Sequence, residues 1–442
     1  MRAERYRLIA QDFATAIRDG TMPAGTRLPT HRELAAKYGV ALATATKVYR
    51  ELASTGLVVG ERGRGTFVRD LSGFGGLDSR RLPIGARIAD LSFNQPLAPG
   101  QDDQLRHALR ELAAEGDLTS LLTQHPPGGR GADRATVAEY LRTVGVDAGR
   151  DDVLVTSGAQ HALDAAIAGV VPAGRAIAVD ALTYPGLKLI ADTRRVELVP
   201  VGVTAAGTDV DDLDAVCRAR AVAAIYLVPT LHNPLGFVLD DAARTRIVDI
   251  ARRHDCLLIE DSTYAFLEPG APPPLHTLAP ERTFHVGSLS KNLATGLRFG
   301  YVVVPARQRD AVKRVLRASH WGTSSIVTAL ATRLLADGTV ERLQARRRDD
   351  ARRRQLVAAR ELTDLGYHAH PSAYWGWLTL PDDIRADIVA HRLADSGVLV
   401  STGDAFAVAP NPPNALRIAL ANPPLAELDA VLRTIRGAVR LI

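Results

Sequence analysis

Residues 283–304 read TFHVGSLSKNLATGLRFGYVVV, and the reading of this stretch decides the fold. Thr283 to Val286 has the makeup of a buried strand, and a second apolar run begins at Gly300. Between them lie Gly287-Ser288-Leu289-Ser290-Lys291 and Gly296-Leu297-Arg298. A lysine among hydroxyls, with an arginine close behind, suits a ligand that carries both an aldehyde and a phosphate. An amine can form an imine, which a guanidinium cannot do at neutral pH. The hydroxyls and Arg298 would hold the phosphate. Only Lys37, Lys47, Lys188, Lys291 and Lys313 are lysines among 54 basic residues, so a lysine here is a choice against the chain's habit.

Working outward, further strand-like runs alternate with helical segments: Val153–Val155, Ala176–Val179, Val222–Val228, Leu257–Ile259 and Gly300–Val304. That alternation predicts a mostly parallel sheet flanked by helices, with ligands at the carboxyl ends of the strands. Polar groups gather at those ends. Thr156-Ser157-Gly158-Ala159-Gln160 opens a helix whose N–H groups suit a phosphate. Tyr184 offers an aromatic face before Pro185-Gly186, and His232-Asn233-Pro234-Leu235-Gly236 is a polar turn. Glu260-Asp261-Ser262-Thr263-Tyr264 ends an apolar strand, and a carboxylate pair in such a place is expected to be functional because burial is costly. Pyridoxal phosphate fits this set: it needs a carboxylate to keep its ring nitrogen protonated, and Asp261 can supply one. A second cluster of runs, Tyr374–Leu380, Val398–Ser401 and Leu416–Leu420, predicts a smaller α+β domain.

On these motifs residues 90–442 resemble the fold-type I, class I aminotransferases, and within them the aminoadipate/kynurenine-type branch. The resemblance implies that Lys291 binds pyridoxal phosphate as an imine and that Asp261 partners the pyridine nitrogen. By the same match Asn233 and Tyr264 bond the ring hydroxyl and Tyr184 stacks on the ring. Ala159, Gln160, Ser288, Ser290 and Arg298 form the phosphate cup, and Arg417 grips a substrate or effector carboxylate. Two positions depart from the family pattern: Gln124 stands where a tyrosine usually reaches the neighbouring subunit's phosphate, and Thr295 replaces a common proline.

The charge points elsewhere. Residues 1–70 hold 12 basic and 7 acidic side chains, hence +5, while the remaining 42 and 42 cancel. A basic module on a neutral body fits nucleic acid at one end only. Tyr6, Ile9, Phe13 and Ile17 mark one face of a helix over 4–19. Thr30-His31-Arg32-Glu33 is a capping box that starts a second helix at His31, ending near Gly39. A third runs from about Thr44 to Gly56, and Leu57–Val59 with Thr66–Val68 predict a hairpin. That order predicts a winged helix-turn-helix, mainly α with a β-wing. The stretch from Pro23 to Val68 resembles the GntR-family DNA-binding domain, which implies contacts to DNA by Arg32, Thr44, Thr46 and Lys47. Arg64, at the wing tip, is placed to meet the minor groove or the backbone. Where the family usually opens the recognition helix with Ser-Arg-x-Thr, this chain has Ala41-Leu42-Ala43-Thr44.

The domains so read are 1–70, a linker over 71–89, and 90–442, with the small domain from about 330. The linker, about 20 residues long, reaches at most ~65 Å. A GntR-type head on an aminotransferase-like body resembles the MocR subfamily of transcriptional regulators. The resemblance implies a regulator that binds double-stranded operator DNA at repeated half-sites as a head-to-tail homodimer. Pyridoxal phosphate would act with an amino acid or amine effector. The alternative reading is a working aminotransferase with an accessory DNA-binding domain. With no apolar run after its charges, MRAERYRLIA does not read as a signal peptide, and no run is long enough to span a membrane. Two cysteines support neither a disulfide framework nor a cysteine-based metal site, and no metal is expected. A cytoplasmic setting is expected.

Overall fold

A computed structural model describes residues 2–440 apart from 20, 24–25, 55–56, 62–64, 69–87, 116 and 410. Arg64 and most of the linker therefore lie outside the described residues.

The head forms as the sequence pattern dictates. Helices α1 (Arg2–Arg18), α2 (His31–Tyr38) and α3 (Leu42–Ser54) precede an antiparallel hairpin of β1 (Val58–Glu61) and β2 (Gly65–Val68). The capping box is complete: Glu33 N donates to Thr30 Oγ1 at 3.3 Å, and Thr30 N donates to Glu33 Oε2 at 2.7 Å. Gly39 closes α2 in the left-handed region, where only glycine is comfortable. The third helix begins at Leu42, two residues before the position expected from the pattern. Ile9, Phe13, Ile17, Leu34, Val48, Leu52, Leu57 and Val68 make one apolar core, which is what holds three short helices at fixed angles.

In the body, β3 (Ala89–Asp90) takes in Ala89 from the end of the stretch read as linker. Next come β4 (Val153–Thr156), β5 (Ala176–Asp180), β6 (Glu197–Val201) and a small hairpin, β7 (Val203–Thr204) and β8 (Gly207–Thr208). Strands β9 (Val222–Leu227), β10 (Leu257–Asp261), β11 (Thr283–Ser288) and β12 (Gly300–Val303) complete the main set. The seven-stranded sheet has the order β4-β12-β11-β10-β9-β5-β6. All neighbours are parallel except β12, which runs against both β11 and β4. Strands β4, β5 and β11 are buried along their whole length, so their continuous apolar runs are what a sheet covered on both faces requires. Both cysteines are buried in the core on one face of this sheet.

The C-terminal part folds a second core around β13 (Tyr367–His368), β14 (Trp375–Thr379), β15 (Val398–Leu399), β16 (Ser401–Thr402) and β17 (Ala415–Ala419). Four of these make an antiparallel sheet, β13-β14-β17-β16, while β15 pairs with β3. The helix Thr339–Leu362 joins the two lobes. Near its start Arg347 donates to the carbonyls of Asn292 and Leu293, just beyond Lys291. Two turns on, Arg354 donates to Leu420 and Pro423, just beyond β17. Among the described residues no helix is long and apolar enough to cross a membrane.

Candidate functional site

Strand register builds the body's site. Gly300 of β12 lies opposite Thr156 of β4 on one side and Ser288 of β11 on the other. Asp261 of β10 then pairs with Val286. The segments 156–160, 288–291 and 261–264 therefore issue side by side from one sheet edge. Backbones approach closely here: a Cβ on Gly300 would lie 2.5 Å from the carbonyl carbon of Gly158, and one on Gly158 would lie 2.9 Å from Arg298 Nη2. Gly158 itself sits at φ +92° and begins the helix Ala159–Val170 with no side-chain cap, leaving its first N–H groups for an anion. Ser288 and Ser290 are buried beside it, and Ser290 Oγ has no protein partner. Arg298 is exposed and its guanidinium packs over Gly158. Ala159 and Gln160 open the helix, and Gln160 Oε1 accepts from the Tyr184 hydroxyl at 3.0 Å. Burial, and after it the Asp261 charge, pushes the Tyr184 phenol up, so it stays neutral as a donor.

Asp261 is buried and held in a fixed orientation. Its Oδ2 accepts from Tyr226 at 2.9 Å, and its Oδ1 accepts from Thr263 N at 3.0 Å and Thr263 Oγ1 at 2.6 Å. Tyr226 and Thr263 are partners that the sequence reading missed. Tyr226 was hidden inside the apolar run of β9. Its register opposite Ile259 places it on the same face as Asp261, two residues along, so strand alternation carried the signal.

Glu260 is a correction. The adjacent carboxylates do not act as a pair, because successive strand residues face opposite sides. Glu260 accepts from Leu275 N at 2.9 Å, His276 N at 3.1 Å and His285 Nδ1 at 3.1 Å, tying a short helix to the sheet. Burial works to raise its pKa, but the His285 bond and charge and the backbone donors bring it below the ordinary value.

Lys291 Nζ donates to the Asn94 carbonyl at 2.6 Å and lies 5.8 Å from the centre of the Tyr264 ring. Tyr264 packs on Trp375 at 4.5 Å. Asn233 comes from the loop after β9, its Oδ1 buried without a partner. Arg244, buried, steadies that loop through Leu239 O, Pro229 O and Thr230 Oγ1. His232, which shares the turn, instead stacks on Phe237 at 4.2 Å and lies 3.3 Å from Asp180. Arg417 of β17 is buried, donates to Ser92 O at 2.6 Å and leaves Nε unpartnered. Burial pulls its pKa down to about 10, a sign that the cation lacks full compensation. Ser92 and Asn94, also missed by the sequence reading, reach the site through the distant pairing of β3 with β15 and through the bond from Ala419 N of β17 to Leu91 O. Gln124 is exposed, and Thr295 opens a turn of 3₁₀-helix. Among the described residues no group of three His, Cys, Asp or Glu is placed to hold a metal.

In the head, Arg32, Lys47 and Arg50 are exposed, Thr44 is half-buried, and α3 has no acidic residue in its first turn. Thr46 Oγ1 donates to Leu42 O at 3.0 Å and stands 3.5 Å from His31 Nδ1. His31 stacks on Tyr49 at 4.6 Å, which fixes α2 against α3. The hydroxyl of Thr46 is thus engaged within the head, while the cations stand free of its core.

Two family models match this chain. Residues 5–68 match "Bacterial regulatory proteins, gntR family", and residues 86–435 match "Aminotransferase class I and II". A transcriptional regulator of Rhodobacter capsulatus, TauR, is 30% identical, with 90% of this chain and 88% of the relative covered. The probable rhizopine catabolism regulatory protein MocR of Rhizobium meliloti is 26% identical over 87% of this chain and 81% of its own. The chain belongs to the MocR subfamily of GntR-type transcriptional regulators. Its body has the fold of an archaeal alanine:glyoxylate aminotransferase, with TM-score 0.76 at 21% identity, covering 81% of this chain and 92% of that one. This MocR-type chain is a DNA-binding regulator whose second domain has an aminotransferase fold.

Proposed function

We propose that this regulator holds pyridoxal phosphate on Lys291 and that an amino acid or amine, read by the same site, alters how its heads engage double-stranded operator DNA in the cytoplasm. The observation that carries the reading is the register of β4, β12, β11 and β10, which lines an uncapped helix start, two buried serines, Lys291 and Asp261 along one edge.

The residues fit the cofactor. Ser290 Oγ and Asn233 Oδ1 are buried polar atoms without a protein partner, and such atoms call for a ligand. Ala159 N, Gln160, Ser288, Ser290 and Arg298 would hold the phosphate; Tyr184 would stack on the ring; Asn233 and Tyr264 would bond its hydroxyl. Asp261, its other lone pairs occupied by Tyr226 and Thr263, keeps a proton on the ring nitrogen. When bound, the cofactor supplies an aldehyde for amines and an electron sink. Arg417, buried and under-compensated, orients a carboxylate beside it.

A second copy of the chain fits the exposed apolar cluster of Leu118, Leu122, Trp321 and Ile326; Leu122 is 88% exposed. A bond from Ser325 Oγ to Leu121 O holds the two segments together. Gln124 lies in the same segment and would face the neighbour, consistent with a head-to-tail homodimer on repeated half-sites. A catalytic reading shares Lys291, Asp261, Asn233 and Arg417. Sustained turnover of an amino acid with a 2-oxo acid at ordinary enzyme rates would favour it over the regulator reading. The direct test is borohydride reduction of the protein loaded with pyridoxal phosphate, followed by peptide mapping. Label on Lys291 supports the reading; label elsewhere or none defeats it.

A further inference from the structure

The start of α3 is chemically unlike the rest of the helix's outer face. Lys47 and Arg50 are exposed cations, and Arg32 lies exposed on the neighbouring α2. Ahead of them come Ala41, Leu42 and Ala43, all exposed, and Leu42 is 51% exposed. A single exposed leucine is ordinary on a protein surface. Its position makes this one informative. In a helix-turn-helix the N-terminal residues of the second helix of the motif meet base edges in the major groove, while flanking cations meet phosphates. α3 is that helix, and its first turn carries no side chain able to make a paired hydrogen bond to a base.

What it does carry is a branched apolar side chain between two alanines. The alanines let the backbone come close to the groove floor. The major groove displays one apolar group, the C5 methyl of thymine. The Leu42 carbonyl is already engaged by Thr46 Oγ1 at 3.0 Å, which fixes the first turn and leaves the isobutyl group as its recognition element.

We propose that Leu42 is a specificity-determining residue that reads a thymine methyl, so that each half-site carries an A·T pair where the recognition helix begins. This rests on the reading of the chain as a DNA-binding regulator. Arg32, Lys47 and Arg50 position the helix on the phosphates, and Leu42 selects the sequence.

The test uses the full chain loaded with pyridoxal phosphate. A duplex is selected by the protein from a random library, and each thymine in it is then replaced singly by uracil, which removes only the methyl. At one thymine per half-site the replacement should weaken binding about three- to tenfold. For Leu42→Ala, the thymine and uracil duplexes should bind equally. Leu42→Arg should shift the selected pair at that step toward G·C, since arginine reads guanine. The proposal is overturned if no uracil duplex binds more weakly, or if Leu42→Ala keeps the full uracil penalty. Failure of the full chain to bind any duplex, even at low salt, would instead defeat the regulator reading on which it rests.

Discussion

In the proposed function the head and the body recognise their ligands by opposite means. In the head the side chains proposed to meet DNA, Arg32, Lys47 and Arg50, are exposed and take their geometry from the helices that carry them. In the body Asp261 and Arg417 are buried, Lys291 is half-buried, and each is held individually: Asp261 by three donors, Lys291 by a backbone carbonyl, Arg417 by another. The difference follows from the ligands. A duplex presents a long row of phosphates, and a charge a few ångströms out of place still gains most of its Coulomb energy. A small cofactor inside a low-dielectric site must meet each polar group directly, because an unmatched one costs about 1–3 kcal/mol.

The comparison can be broken most sharply at Lys291. Lys291→Ala should abolish covalent retention of pyridoxal phosphate, seen as loss of label after borohydride reduction, and Lys291→Arg should do the same despite keeping the charge. Arg417→Met comes next. It removes the cation that would orient a carboxylate and should weaken an amino-acid response by roughly one to two orders of magnitude. Titrated in the loaded protein by a change in the cofactor spectrum, an unaltered response would deny Arg417 that role.

Acid provides a third test. Burial lowers the pKa of both His161 and His276 to about 4. In the folded body they resist protons that the unfolded chain accepts below an ordinary histidine pKa of about 6.5. Their contribution is therefore present above pH about 6.5 and lost as pH falls toward 4, by about 1.4 kcal/mol per pH unit for each in that window. Denaturant titrations across this range should show the decline, and His161→Asn should roughly halve the part that these two histidines contribute. A smaller effect is expected for Tyr226→Phe. It removes one of Asp261's donors and should lower stability by about 1–2 kcal/mol, measurable by urea unfolding.

Smallest is Lys47→Ala in the head. It should weaken all duplexes alike and lessen the slope of log K against log salt by about 1. A sequence-dependent loss would show that Lys47 reads bases.

How much was legible in the sequence follows the same division. Hydrophobic period and the capping box revealed the head, since its elements are local and its core lies on one face of each helix. In the body, motifs at strand ends named Lys291 and Asp261, because the chemistry demands particular side chains after particular strands, while the roles of Asn233 and Arg417 came only from the family resemblance. What stayed hidden was non-local. The reversed direction of β12 brings Gly300 beside Gly158, and the pairing of β3 with β15 brings Ser92 and Asn94 to Arg417 and Lys291. Glu260 is a different case. Adjacency suggests a carboxylate pair, but strand alternation turns Glu260 to the face opposite Asp261.

The central claim is that the buried site governs the exposed one, and footprinting tests it most directly. The upstream intergenic DNA would be footprinted with the full chain, with and without pyridoxal phosphate, for the natural protein and for Lys291→Ala. The account predicts protection that changes with the cofactor in the natural protein and stays fixed in the variant. The same pattern in both, or no change with cofactor in either, would contradict it.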